Sequence, residues 1–435
     1  NAKNGLQENI TILQNSDVEW LFYHSMFEEA VAGMRDRVPA IRGLICIDQA
    51  GTDSPTLETW CVGFEGKADA LPESPDRLMG LYATGGTTGQ PKGVCITNRS
   101  AETMVAAALA SMPCDQPPIN LIVAPVTHGA GAIAWPLFIQ GATQLLMSNV
   151  DPESILQMIE RHKVTHLFLP PTVIYLMLAH PKVRDYDYSS LKYFIYAAAP
   201  MSADKLRQAI DVFGPVMVQY YGQAEATLTC TFMSAQDHLE ALKPGNEHRL
   251  LSCGKATPFA HLAIMDDEGN LLDPNAHGEL VVRGSLVMEG YYKNPEATEA
   301  SRVHGWHHTG DIAYIDDDGF VFIVDRKKDM IITGGFNVFP SEIEQVIWSH
   351  PAVQDCAVIG VPNDKWGEAV KAVIETVPGK TVDEKDIIAL CKQKLGSVKA
   401  PKSVEVWETL PRSPVGKVLK KNIRSTFWQD QERAI

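Results

Sequence analysis

A polyphosphate is bound by amide and hydroxyl donors and a mobile cation, and residues 84 to 92 supply all three. The stretch reads Thr84, Gly85, Gly86, Thr87, Thr88, Gly89, Gln90, Pro91, Lys92, with Gly93 behind. Glycine lets the backbone approach an anion without a Cβ in the way. Exposed amides and threonine hydroxyls donate to phosphate oxygens, and Lys92 adds a mobile positive charge. The stretch is not a Walker A loop, because Gln90 and Pro91 separate Gly89 from Lys92. On residues alone, a plain Gly/Thr turn between two strands stays open beside the phosphate reading.

Further chemistry-bearing stretches follow. Tyr220-Tyr221-Gly222-Gln223-Ala224-Glu225 sets an aromatic before a glycine and a carboxylate four residues on. Such a set stacks a base and supplies an oxygen ligand for Mg2+. Asp311 follows Thr309-Gly310 and reads as a carboxylate presented after a turn; an Asx-turn aspartate is the plain alternative. Asp325-Arg326-Lys327-Lys328-Asp329 is a charge run, ordinarily a solvated face. Lys417 follows Pro414-Val415-Gly416 at what reads as a loop tip, ordinarily an exposed surface lysine. His128 stands just past an apolar run, where open α/β sheets place ligands; a satisfied structural histidine is the plain alternative.

These residues need a scaffold, and the periodicities describe an α/β one. Leu78 to Ala83 fits a buried strand ahead of the loop. Helices are expected over 6–16, 27–35, 100–112, 152–163, 171–179 and 202–212, the last with Ser202 as N-cap. Strands are expected over 18–23, 44–48, 119–125, 166–169, 193–196 and 216–221. Alternation of this kind argues for a parallel sheet. Runs at 262–265, 278–283 and 320–324 suggest a β-rich subdomain. A small α+β domain follows, with helices at 341–349 and from Thr381, where Glu384 completes a capping-box pattern and Gly396 a stop. Its strands are expected over 353–361, 370–376 and 404–408. Ile119 to Met147, broken by Pro125, Gly129 and Pro136, reads as core strands and turns, not a membrane span.

Taken in order, the motifs resemble those of the adenylate-forming superfamily of acyl-CoA synthetases, peptide-synthetase adenylation domains and firefly-type luciferases. The likeness runs from about residue 6 to residue 424, and is greatest to a bacterial-type fatty acyl-CoA synthetase. It departs at Gly85, where the family has Ser, and at Ala224, where it has Thr. The resemblance implies a large domain over 1–324, a hinge at 325–326 and a small mobile domain over 327–435. Members carry further α/β structure before the point where this sequence starts.

The resemblance also implies roles. Thr84 to Gly89 and Lys92 hold the β- and γ-phosphates, and Glu225 binds Mg2+. Ala198, Ala199, Pro200, Gln219, Tyr220, Tyr221, Gly222, Gln223 and Ala224 line the adenine and α-phosphate, with Tyr221 stacked on the base. Asp311, Ile323 and Arg326 hold the nucleoside, and Asp325 is the pivot. Lys417 is the catalytic lysine. His128, Gly129, Ala130, Ala132, Ala197 and Tyr220 border the acid, and Gly334, Gly335 and Phe336 line the CoA path. The implied reaction turns a carboxylic acid, ATP and CoA into acyl-CoA, AMP and pyrophosphate. A medium- or long-chain fatty acid is favoured, followed by a bulky aromatic or alicyclic acid. A carrier-protein loader and a nucleotide-binding pseudoenzyme are the alternatives, and a homodimer is compatible.

Composition narrows the class. The 435 residues suffice for two or three domains. A net charge of −15 argues against nucleic acid as partner. The eight cysteines are scattered without a Cys-x-x-Cys pair, which fits a reducing cytoplasm better than zinc or a disulfide scaffold. The first residues show no apolar signal-peptide core.

Overall fold

The computed structural model describes residues 4–49, 51, 54–63, 66, 73–84, 91–413 and 417–428. Its contacts gather the chain into two compact units, Asn1–Glu102 with Val287–Ala300, and Thr103–Leu286 with Ser301–Ile435.

In the first unit, Trp20–Tyr23 pairs parallel with Gly43–Cys46. At Gly43 a Cβ would meet the exposed Trp20 ring at 2.1 Å and displace it. Helix Leu6–Asn15 forms as its spacing predicts and buries Ile10, while Leu6 stays exposed. The helix expected over 27–35 breaks into Glu28–Val31 and Met34–Arg37, because Gly33 takes a left-handed turn at φ 69°. Leu78–Thr84 pairs antiparallel with Lys92–Thr97, which pairs in turn with Gly290–Tyr291. The first of these is an edge strand with Leu78 and Met79 exposed, not the buried strand its apolar run suggests.

The second unit is built on a seven-stranded sheet ordered Lys255–Ala256, Thr231–Met233, Met217–Tyr221, Tyr193–Tyr196, His166–Leu169, Ile119–Ile122, Thr143–Leu146. The last five strands run parallel. Parallel strands are covered on both faces, and the side chains divide accordingly. Leu167, Leu169, Phe194 and Tyr196 enter one core; Phe168, Ile195, Ala197 and Val218 enter the other. Phe194 is fully buried with its ring 5.0 Å from Phe213. Truncating it to alanine would cost about 3–5 kcal/mol. Helix Gly129–Ile139 covers the second face, where strands and turns were expected. Its interior Pro136 and all-round apolar sequence hide the helical period.

A four-stranded antiparallel sheet follows in the order His261–Met265, Gly278–Arg283, His307–Ile315, Val321–Arg326. Tyr314 and Phe322 stack across its last pair at 4.6 Å. The small-domain sheet comprises Phe336–Val338, Ile331–Thr333, Gly367–Thr376 and Val353–Asn363, with Ser403–Trp407 parallel to Gly367–Thr376. Helix Pro340–Trp348 packs its Ile343 and Ile347 on this sheet. The later helix begins at Glu384 with Asp383 as cap, not at Thr381, and its regular geometry ends at Gly396, φ 81°. Among the described residues no helix is long and apolar enough to cross a membrane.

Candidate active site

Parallel strands bring their C-terminal ends to one edge of the sheet. Ile122, Leu169, Tyr196 and Tyr221 end there, followed by His128, Pro170, the Ala197–Pro200 turn and the Gly222–Glu225 turn. Close packing dictates the small residues. A Cβ at Gly222 would come 2.6 Å from the Leu228 backbone, and one at Gly129 would come 3.1 Å from the Phe168 ring. Ala198 adopts φ 74°, a left-handed conformation costing a residue with a Cβ about 1–2 kcal/mol. Ala130, Ala197 and Tyr220 meet in one apolar cluster with Phe168 and Ile133, while Gly129 and Ala132 are part-buried. His128 precedes the helix and shares a 2.8 Å contact with Thr127 Oγ1.

Asp311 is the centre of the polar site. It is buried and accepts from Tyr221 Oη at 2.6 Å and from Gln223 Nε2 at 3.2 Å. Arg326 Nε lies 2.8 Å from its other oxygen. Sequence placed Asp311 in a turn; it sits inside strand His307–Ile315, with Gly310 at φ 70° in an irregular stretch of the ladder. That glycine lets a strand carry a buried carboxylate toward Tyr221. Burial opposes the charge on Arg326, but Asp311 and Glu225 are among the groups that outweigh it and raise its pKa. Burial, then Asp311, pushes the Tyr221 phenol far up, so it stays a neutral donor. Ile323 pairs with Ala313 on the neighbouring strand. Gln219 accepts from Tyr196 Oη at 3.0 Å.

Lys417 approaches this cluster from the small domain. Ser413 N–H donates to the Lys417 carbonyl at 2.8 Å, and Lys417 N–H donates to Ser413 Oγ at 3.1 Å. Dehydration and repulsion from Arg326 lower the Lys417 pKa, against attraction from Asp311. Lys417 is exposed as a residue, so water screens part of this. Asp325 ends the strand beside Arg326 and accepts from the Ser341 amide at 2.8 Å, capping helix Pro340–Trp348. Gly334 and Gly335 take φ 59° and 81° in the two-residue turn between Ile331–Thr333 and Phe336–Val338. Positive φ at both positions is what such a hairpin requires. Phe336 is exposed.

Thr84 and Lys92 face each other at the mouth of the first unit's hairpin, and Lys92 Nζ stands 4.8 Å from the centroid of the Tyr291 ring. Gly85, Gly86, Thr87, Thr88 and Gly89 lie outside the described residues. Ala199, Pro200 and Ala224 sit in the two turns at the strand ends, and Glu225 is part-buried there. Ser202 stands at the N-cap position, but its hydroxyl makes no capping bond; its amide donates to Tyr175 Oη at 2.7 Å.

Sequence reasoning passed over the supports. The Thr309 hydroxyl accepts from the Asp311 amide, and the Thr309 carbonyl accepts from Gln223. Glu279 accepts from the Gly310 amide and pairs with Lys327. Thr309 lay in the motif already singled out. Glu279 carries no local signal, since its partners His308, Gly310 and Lys327 all lie far along the chain.

Residues 1–292 match the model of the AMP-binding enzyme family, and residues 342–417 that of the AMP-binding enzyme C-terminal domain. The chain is 42% identical over 368 residues to a medium/long-chain-fatty-acid–CoA ligase, FadD8, of Mycobacterium tuberculosis; the match covers 83% of this chain and 63% of that protein. It is 36% identical to a feruloyl-CoA synthase of Amycolatopsis, over 82% of this chain and 71% of that one. ATP-bound MatB from Rhodopseudomonas palustris superposes with a TM-score of 0.86 at 28% identity, covering 99% of this chain and 83% of that one. The chain thus spans under two thirds of the mycobacterial relative's length. With both family models matched in order and the strand-end site in place, the chain belongs to the AMP-binding enzyme family.

Proposed function

We propose that this protein activates a carboxylic acid with ATP and transfers the acyl group to CoA. The observation that carries the reading is the Tyr221–Asp311–Arg326 cluster with Lys417 electrostatically coupled to it. In the first step an acid oxygen attacks the α-phosphorus, and the bond to the bridging oxygen breaks, releasing pyrophosphate. The demand on the protein is alignment and neutralisation of charge on phosphate oxygens. Asp311 accepts from the ribose hydroxyls, Tyr221 flanks the base, and Lys417 donates to the acid and α-phosphate oxygens. Thr84 to Lys92 receive the departing phosphates. Glu225 is a part-buried carboxylate within electrostatic reach of Arg326, and it fits the oxygen-ligand chemistry of Mg2+. That ion would neutralise phosphate charge.

In the second step the CoA thiolate attacks the acyl carbonyl and AMP leaves. Residues 327–435 turn about Asp325, withdrawing Lys417 and bringing Gly334, Gly335 and Phe336 to the thiol. A medium- or long-chain fatty acid is the favoured substrate, supported by the apolar cluster of Ala130, Ala197 and Phe168 and by the ligase activity of the mycobacterial relative. The test is acid-dependent pyrophosphate exchange and CoA-dependent AMP release over a panel of acids. Lys417→Ala should abolish exchange yet spare thioester formation from supplied acyl-AMP. Equal loss of both steps would refute the assignment of Lys417.

A further inference from the structure

The described chain on each side of Lys417 has a foot held by an ion pair, Arg412 before it and Lys420 after it, and the proposed function uses neither. At the first foot, Arg412 Nη1 lies 2.7 Å from Asp355 and Nη2 lies 2.9 Å from Glu375. Glu375 also accepts from the Leu410 amide at 2.9 Å. At the second foot, Lys420 Nζ lies 2.8 Å from Glu344 Oε1, with only 6% of the Glu344 side chain exposed. That oxygen also accepts from the Val358 amide at 2.7 Å. Between the feet, Arg412 and Val418 bridge antiparallel and the Leu419 amide donates to the Pro411 carbonyl at 2.8 Å. One turn beyond Lys420, Arg424 pairs with Asp329 at 2.7 Å.

Glu344 sits on helix Pro340–Trp348, whose amino end is capped by Asp325, the neighbour of Arg326. A continuous path of packed and bonded groups therefore runs from Lys417 through Val418, Lys420, Glu344 and the helix to Asp325, Arg326 and Asp311. We propose that Lys420 is a positioning residue for Lys417, its pair with Glu344 fixing the lysine turn in register with the Arg326–Asp311 cluster. This rests on the reading of Lys417 as the adenylation lysine.

Two physical points favour positioning over plain stabilisation. Helix Lys420–Ser425 opens with two lysines, where the helix dipole disfavours positive charge. Local helix stability therefore does not explain a lysine at this position. A buried ion pair is also poor value as a stabiliser, since apolar replacements often do as well; its better-attested use is to select one arrangement among alternatives. A turn that must carry an ammonium into a nucleotide site needs such a selection.

The test uses Glu344→Gln and Lys420→Arg in the whole chain. Pyrophosphate exchange, thioester formation from supplied acyl-AMP, and the pH midpoint of Lys417 acylation by a small amine-selective reagent are measured. Glu344→Gln should lower exchange kcat roughly 10–100-fold, the scale of a misplacement near 1 Å, with KM for ATP unchanged. Thioester formation should persist. The Lys417 midpoint should rise toward that of an ordinary lysine as the ammonium regains water and leaves Arg326. Loss of a carboxylate acting only through space would move it down, so the sign separates the two causes. Lys420→Arg, which keeps a cation opposite Glu344, should retain most of the exchange. The double variant Glu344→Gln with Lys420→Met removes both charges and guards against misfolding; its exchange should stay low. An unchanged or lowered midpoint in folded Glu344→Gln, or full exchange in the double variant, would overturn the proposal. Silence of the parent chain with every acid would refute the proposed function instead, and the midpoint would still decide the role of the pair.

Discussion

His307 opens the strand that carries Asp311, and its replacement by leucine should change how the protein responds to acid. The ring is buried, and among the described residues neither nitrogen has a partner at good hydrogen-bond geometry. Burial lowers its pKa from 6.5 to about 4, with the Arg302 and His308 charges adding to the effect and Glu279 opposing it. The unfolded chain therefore takes up a proton before the folded one does. Stability is fully present above about pH 6.5 and drains away as pH falls through 4. With these two values the loss at about pH 5 comes to about 2 kcal/mol from this one group, a sizeable share of the 5–15 kcal/mol typical of a folded domain. His307→Leu removes the titration and loses at most a minor contact with the Ser301 backbone. Near neutral pH its stability should match the parent within about 1 kcal/mol. At about pH 5 it should be the more stable by about 2 kcal/mol. Urea unfolding followed by tryptophan fluorescence at the two pH values reads the difference. His166 and His238 are buried and shifted in the same direction, so the variant should still weaken in acid, but less steeply. Equal losses in parent and variant would refute the reasoning, showing that the folded protein protonates His307 as readily as the unfolded chain does.

Tyr221→Phe removes a donor 2.6 Å from a buried carboxylate, a bond worth about 1.5–3 kcal/mol. ATP affinity by calorimetry should fall roughly tenfold, and unchanged affinity would show that the phenol does not hold Asp311 in place. Ala198→Gly relieves a left-handed alanine; the relief of about 1–2 kcal/mol exceeds the added unfolded-state entropy of about 0.4–1 kcal/mol. The unfolding midpoint should rise slightly, and a clear drop would mean that the methyl group packs productively.

Much of the arrangement is written locally. Continuous apolar runs such as Phe194 to Tyr196 mark a sheet buried on both faces, since each side chain has its own core to enter. Tyr221, Asp311 and Arg326 stand out through the order of the family's motifs, and the fold joins them in one cluster. Local pattern misleads where a residue's fate depends on distant chain. Leu78 and Met79 read as core yet lie on an edge strand, because burial depends on what pairs beyond them. Gly129–Ile139 hides its helix behind all-round hydrophobicity, which carries no period. Asp311 reads as a turn residue, since Gly310 signals a break; only pairing with Gly278–Arg283 and Val321–Arg326 makes it strand. The ion pairs are beyond sequence altogether. Glu344 and Lys420 are 76 residues apart, and Asp355 and Arg412 are 57. Charge acts through space, so its meaning is decided only when folding brings the partners within reach.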